Sequence, residues 1–78
     1  MTNLEKYVNA FVKALEVSTG DVSALVYDQS ASWDSVGHMT LVANLEDAFD
    51  IMMDMDDIID LSSFEKGKEI LRKYDVEI

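Results

Sequence analysis

The chain has 78 residues, no cysteine, no proline and a formal charge of −10, from six Lys and Arg against sixteen Asp and Glu. That length allows one domain, residues 1–78, with a thin core, since a chain this short buries only about 60% of the surface its unfolded form exposes. Without Cys there is no disulfide or thiolate metal site, and with His38 the only His a zinc site held by this chain alone is disfavoured.

Charge is distributed unevenly. Between Lys13 and Lys66 there is no Lys or Arg, while twelve carboxylates lie from Glu16 to Glu65. Such a field repels nucleic-acid phosphates and anionic membranes and draws partners with basic surfaces. No apolar run approaches the roughly 20 residues of a membrane span. The start, Met1-Thr2-Asn3-Leu4-Glu5-Lys6, lacks a basic segment followed by an apolar one. A monomeric cytoplasmic protein is expected.

The first helix is predicted to begin at Thr2 or Asn3. Thr2 and Glu5 have the spacing of a capping box, in which each side chain satisfies a free backbone donor of the other. Leu4, Val8, Phe11 and Leu15 recur at helical steps, with Tyr7 and Val12 beside them. Gly20 suits the left-handed position after the helix end. Residues 17–33 read as a long loop with a short helical turn near 21–26, pinned by Val22, Leu25, Val26, Tyr27 and Trp33.

Asp34 is predicted to cap the second helix, because its carboxylate accepts from free N–H groups and suits the positive end of the dipole; Ser35 is then the first helical residue. At 100° per residue over 35–52, Leu41, Val42, Leu45, Phe49 and Met52 share one arc of about 100°, the predicted core face, with His38 at its centre. Ser35, Met39, Glu46 and Asp50 share a second arc, with Val36 and Ala43 beside it.

Asp54 is predicted to cap a short third helix, with Asp56 and Asp57 in its first turn and Met55, Ile58, Ile59 and Leu61 on its apolar side. Ser62 and Glu65 have capping-box spacing for a last helix, whose inner face takes Phe64, Gly67, Ile70, Leu71 and Tyr74. Gly67 costs roughly 1 kcal/mol in a helix interior, so a close neighbour is expected there. The predicted fold is all-α: a small four-helix bundle of three main helices and one short helix, with a long loop after the first.

The candidate chemistry is sparse. Asp54, Asp56, Asp60 and Glu65 match four positions of a calcium loop, but the required glycine and the ligand before it are Ile59 and Ile58 here, so an EF-hand is rejected. Ser35 and His38 lie three apart on one helix, yet no acid or oxyanion site completes a hydrolase triad. A lone His is read as partly buried, with a backbone hydrogen bond. Met39, Met52, Met53 and Met55 cluster around the second and third helices, where Met adapts to different contents or fills a thin core.

The stretch Trp33-Asp34-Ser35-Val36-Gly37-His38-Met39 resembles the Asp-Ser-Leu core of acyl carrier proteins. Leu41, Leu45, Glu46 and Phe49 stand where that family keeps an apolar helix ending in a Leu-Glu-acid-x-Phe pattern. The short acidic helix over Asp54 to Asp60 and the Ser62-Ser63-Phe64 start of the last helix also look like the family, so the resemblance covers about the whole chain. It implies that Ser35 is the attachment point of a 4'-phosphopantetheine arm, added from coenzyme A by a phosphopantetheinyl transferase with magnesium, and that acyl or aminoacyl groups ride on the arm as thioesters. Asp34 and Val36 would support attachment. Met39, Ala43, Glu46, Asp47, Asp50, Asp56 and Asp57 would form the docking surface for a loading ligase and downstream transferases with basic surfaces. Better-known fatty-acid carriers have acids where this chain has Gly37 and Thr40, which favours a dedicated biosynthetic pathway. The alternative is an unmodified acidic adaptor docking a basic partner.

Overall fold

The computed structural model describes residues 2–27 and 33–78; the part of the predicted 17–33 loop at 28–32, with its Asp28, lies outside the described residues, as does Met1. The chain forms α1 (Asn3–Leu15), a 3₁₀ helix (Thr19–Ala24), α2 (Ser35–Phe49), α3 (Met55–Asp60) and α4 (Phe64–Arg72). This is a small all-α bundle. The only strand-like pairing among the described residues is an isolated bridge between Val26 and Ser63.

Helix α1 opens on the expected capping box: the Thr2 hydroxyl accepts from the Glu5 N–H at 3.1 Å, and the Thr2 N–H donates to the Glu5 carboxylate at 3.0 Å. Its buried stripe is Tyr7, Ala10, Phe11 and Leu15. Of the predicted stripe Leu4, Val8, Phe11 and Leu15, the last two are buried, while Leu4 is exposed and Val8 half-buried because the buried face passes through Tyr7, which reaches α4, and Ala10. The helix ends at Glu16, which itself adopts φ 54°. Gly20 is not the left-handed terminator; it lies inside the 3₁₀ helix with open space around it.

The 3₁₀ helix supplies the predicted turn and lies against α1 and α4. Val22, Leu25 and Trp33 are buried as anchors. The loop is also stitched to α4 through its backbone: Tyr27 N–H donates to Ser62 O at 2.8 Å, and Phe64 N–H to Leu25 O at 3.2 Å. That stitching moves the cap of α4 one residue along from the prediction. Ser63, not Ser62, is the N-cap, its Oγ accepting from the Lys66 N–H at 3.0 Å.

Edge-to-face aromatics fill the centre. Phe11 meets Trp33, Phe64 and Tyr7 with centroids 5.0–5.3 Å apart, a geometry the ring quadrupole favours. Tyr7 donates its hydroxyl to the Phe64 carbonyl at 2.6 Å. This is the close neighbour expected at Gly67: a Cβ there would sit 2.0 Å from Tyr7 Oη and 2.8 Å from Leu61 Cδ1. Burial pushes the Tyr7 phenol far above its ordinary pKa.

Helix α2 starts as predicted and stops early. Its core face is Leu41, Val42 and Leu45, with Phe49 half-buried. Asp50 then turns left-handed at φ 53°, and a further acidic residue, Asp75, does so at φ 64° after α4. Because the helix breaks at Asp50, Met52 does not continue the core arc; it is 87% exposed. No helix is long and apolar enough to cross a membrane among the described residues.

Candidate functional site

The head of α2 is built by Asp34. Its backbone is extended and its carboxylate accepts from the Gly37 N–H at 2.9 Å, while its carbonyl takes the His38 N–H at 2.8 Å. Asp34 is thus committed to the cap, as predicted. Ser35 follows as the first helical residue and is exposed, and no described residue bonds its hydroxyl. Val36, next to it, is 76% exposed. The N–H groups of Ser35 and Val36 point out of the first turn without partners among the described residues, the arrangement that makes a helix start favourable for an anion.

His38 lies under this head. Its Nδ1 accepts from the Trp33 indole N–H at 2.9 Å, and its Nε2 is 2.7 Å from the Ile58 carbonyl of α3. The expected backbone hydrogen bond is therefore present. Both ring nitrogens are engaged away from Ser35, so the two do not form a nucleophile–base pair.

The predicted docking residues divide. Met39, Ala43 and Asp47 are exposed on α2 on the same side as Ser35 and Val36, Asp50 is exposed just past its end, and Asp56 is exposed on α3. Asp47 stands at the α1 edge of that face, where it shares a cleft of about 180 Å³ with Lys6, Lys13 and Asn44. Glu46 is half-buried and accepts from the Met53 N–H at 3.0 Å, tying the chain after α2 back to the helix.

Asp57 is not a surface residue. It is 4% exposed and accepts from Lys73 Nζ and from the Tyr74 hydroxyl at 2.6 Å, and that same hydroxyl accepts from the Asp54 N–H at 2.8 Å. The hydrogen bond from Lys73, then that from Tyr74, holds the Asp57 carboxyl below the usual aspartate value; the bond to Asp57 holds Lys73 and Tyr74 above theirs. The carboxylate that a charge run placed on the surface instead fastens α3 to the end of α4.

The sequence reading missed several exposed apolar side chains. Met55 and Ile59, assigned to the apolar side of α3, are 75% and 71% exposed. Ile59 and Met39 flank an apolar groove: a space of about 350 Å³ between α2 and α3 is lined by Tyr27, His38, Met39, Ile58, Ile59 and Leu61. Met39 is one helical turn beyond Ser35, so the groove opens beside the head of α2. The signal for it was a six-residue helix with more apolar residues than one buried face can use.

Lys66 and Lys68 pair with Glu69 and Glu65 on α4, and Lys73 is spent on Asp57. No described cation forms an ion pair with Asp47, Asp50, Asp54, Asp56 or Asp60. Nor do three or more His, Asp or Glu side chains come together among the described residues in a way that could hold a metal ion. No family model, no curated protein and no solved structure matches this chain.

Proposed function

We propose that the chain is an acyl carrier protein: Ser35 carries a 4'-phosphopantetheine arm, and the acidic face of α2 and α3 docks the basic surfaces of a phosphopantetheinyl transferase, a loading ligase and downstream acyltransferases. One observation carries the reading. Ser35 is an exposed first helical residue with a hydroxyl that no described residue bonds, directly after a carboxylate already committed to the cap.

The residues fit such an arm. A phosphodiester on Ser35 Oγ would lie at the positive end of α2, beside the N–H groups of Ser35 and Val36. Asp34 does not oppose it by pointing into the same donors, because its carboxylate is turned to Gly37. When attached, the arm supplies the thiol on which acyl groups are held. Met39, one turn beyond the attachment point, and Ile59 give that cargo apolar surface, and Asp47, Asp50 and Asp56 add exposed negative charge farther along α2 and on α3. Such a surface steers a basic enzyme toward Ser35, a long-range effect that salt weakens.

The test is intact-protein mass spectrometry after incubation with coenzyme A, magnesium and a broad-specificity phosphopantetheinyl transferase. The expected result is a mass gain of one arm, lost in Ser35→Ala. An unmodified chain beside a carrier that the same transferase does modify would favour the acidic adaptor instead.

A further inference from the structure

We propose that His38 is a latch that closes α3 onto α2 and thereby decides where cargo on Ser35 comes to rest: in the outer groove, outside the bundle. The cargo clause rests on the carrier reading of Ser35; the latch does not.

The argument begins with donors and acceptors. An indole N–H can only donate, so His38 Nδ1 must offer Trp33 a lone pair. A carbonyl can only accept, so His38 Nε2 must carry the proton that meets Ile58 O. The ring is neutral, in one tautomer, with both ends fixed. Its plane lies 23° from that of the fully buried Trp33, and Tyr27 meets it edge-on at 5.0 Å. The imidazole therefore cannot rotate away without displacing two other rings.

Its far partner matters because of what α3 is. Six residues are too few to hold a helix by propensity, so α3 depends on what fastens it. On the α4 side that is Asp57, with Lys73 and Tyr74. On the α2 side it is His38. To part α2 from α3, the bond from His38 Nε2–H to the Ile58 carbonyl must break, leaving a part-buried donor and a part-buried acceptor without partners, which is costly.

Behind the latch there is no room: Leu41 and Leu45 have no exposure. In front of it the groove is already open, walled by Tyr27, Met39 and Ile59. A group delivered from Ser35 meets this groove first and stays there while the latch holds. The site suits a short acyl or single-ring group; an extended chain would be left partly in water. His38 is thus a positioning residue that sets cargo preference through α3.

Two measurements test this. The first is amide hydrogen exchange on the unmodified chain. His38→Ala should speed exchange at Ile58 and Leu61, the α3 amides bonded to Asp54 and Asp57, by roughly ten- to a hundredfold. His38→Gln, whose amide can still donate to Ile58, should restore most of the protection. Equal rates in wild type and His38→Ala, with helical content unchanged, would overturn the latch. The second is methyl NMR of the chain loaded with a butyryl or an octanoyl arm. In the wild type both arms should shift Met39 and Ile59 and leave Leu41 and Leu45 unmoved; in His38→Ala the octanoyl arm should shift the leucines too. Shifts at Leu45 in octanoyl wild type as large as in the variant would sink the cargo clause. A mass spectrum without the arm would end the carrier reading and that clause together, while the exchange rates still decide the latch.

Discussion

The Tyr7 hydroxyl crosses the bare Cα of Gly67 to reach the Phe64 carbonyl, so α1 and α4 approach as closely as the absence of one methyl group permits. Two effects then compete in Gly67→Ala. Helix propensity favours alanine by about 1 kcal/mol. Overpacking costs about 1–3 kcal/mol, and neither Tyr7 nor Leu61, both buried, can step aside. The clash should win, so urea midpoints should fall. Adding Tyr7→Phe should recover part of that loss, since the phenol oxygen is the nearest obstacle; strictly additive losses in the double variant would contradict this geometry.

Asp57 ties stability to acid pH through a buried carboxylate. Its folded pKa lies below its unfolded one, so its contribution is present above about pH 4 and disappears as pH falls through the folded value. Lys73 and Tyr74 are shifted upward, so theirs is complete below about pH 10 and fades as pH rises through their folded values. Asp57→Asn should cost about 1–3 kcal/mol at pH 7. It should converge with wild type once the wild-type aspartate is protonated. Denaturant titrations from pH 2 to 7 would show it, and a gap that does not change with pH would rule out this ion as the cause.

Salt should stabilise the chain. The carboxylates of the α2–α3 face lack cation partners, and at 0.15 M ionic strength their mutual repulsion is screened beyond roughly 8 Å. We expect Tm to rise by about 4–8 °C between low and moderate NaCl, the response of a domain this size to about 1 kcal/mol. A flat or falling Tm would mean that screening of the Asp57–Lys73 pair outweighs the relief.

The two serines before α4 should behave differently. Ser63→Ala removes the cap to Lys66 N–H and should cost about 1 kcal/mol. Ser62→Ala leaves the backbone bond from Tyr27 intact and should stay within about 0.5 kcal/mol. Equal losses measured in urea would return the cap to Ser62.

What the sequence disclosed was local. Thr2 with Glu5, and Asp34 before Ser35, are caps decided within three residues, and both are where their spacing put them. The order of the helices and the core of α2 from Leu41 to Leu45 followed from a single periodicity. The misreadings share a physical origin in contacts across the chain. Met52 was carried around the helical wheel past a break at Asp50 that no glycine marks. Ser62 lost its cap to Ser63 because Leu25, almost forty residues earlier, bonds the head of α4. Asp57 looked like one more surface acid until Lys73 and Tyr74 came to it from α4. The exposure of Ser35 was legible from the cap; the groove beside it was not, since it needs α3 turned outward.

The backbone at helix ends has a practical consequence. Glu16, Asp50 and Asp75 each hold a left-handed turn that costs a side-chain-bearing residue more than it costs glycine or asparagine. The three ends are therefore places where a single substitution should harden the molecule against heat. Glu16 shares a cleft with Asp34, Val36 and Gly37 beside Ser35, whereas Asp75 follows α4 and lines none of it, so an engineer wanting a sturdier scaffold could begin at Asp75 and leave the head of α2 untouched.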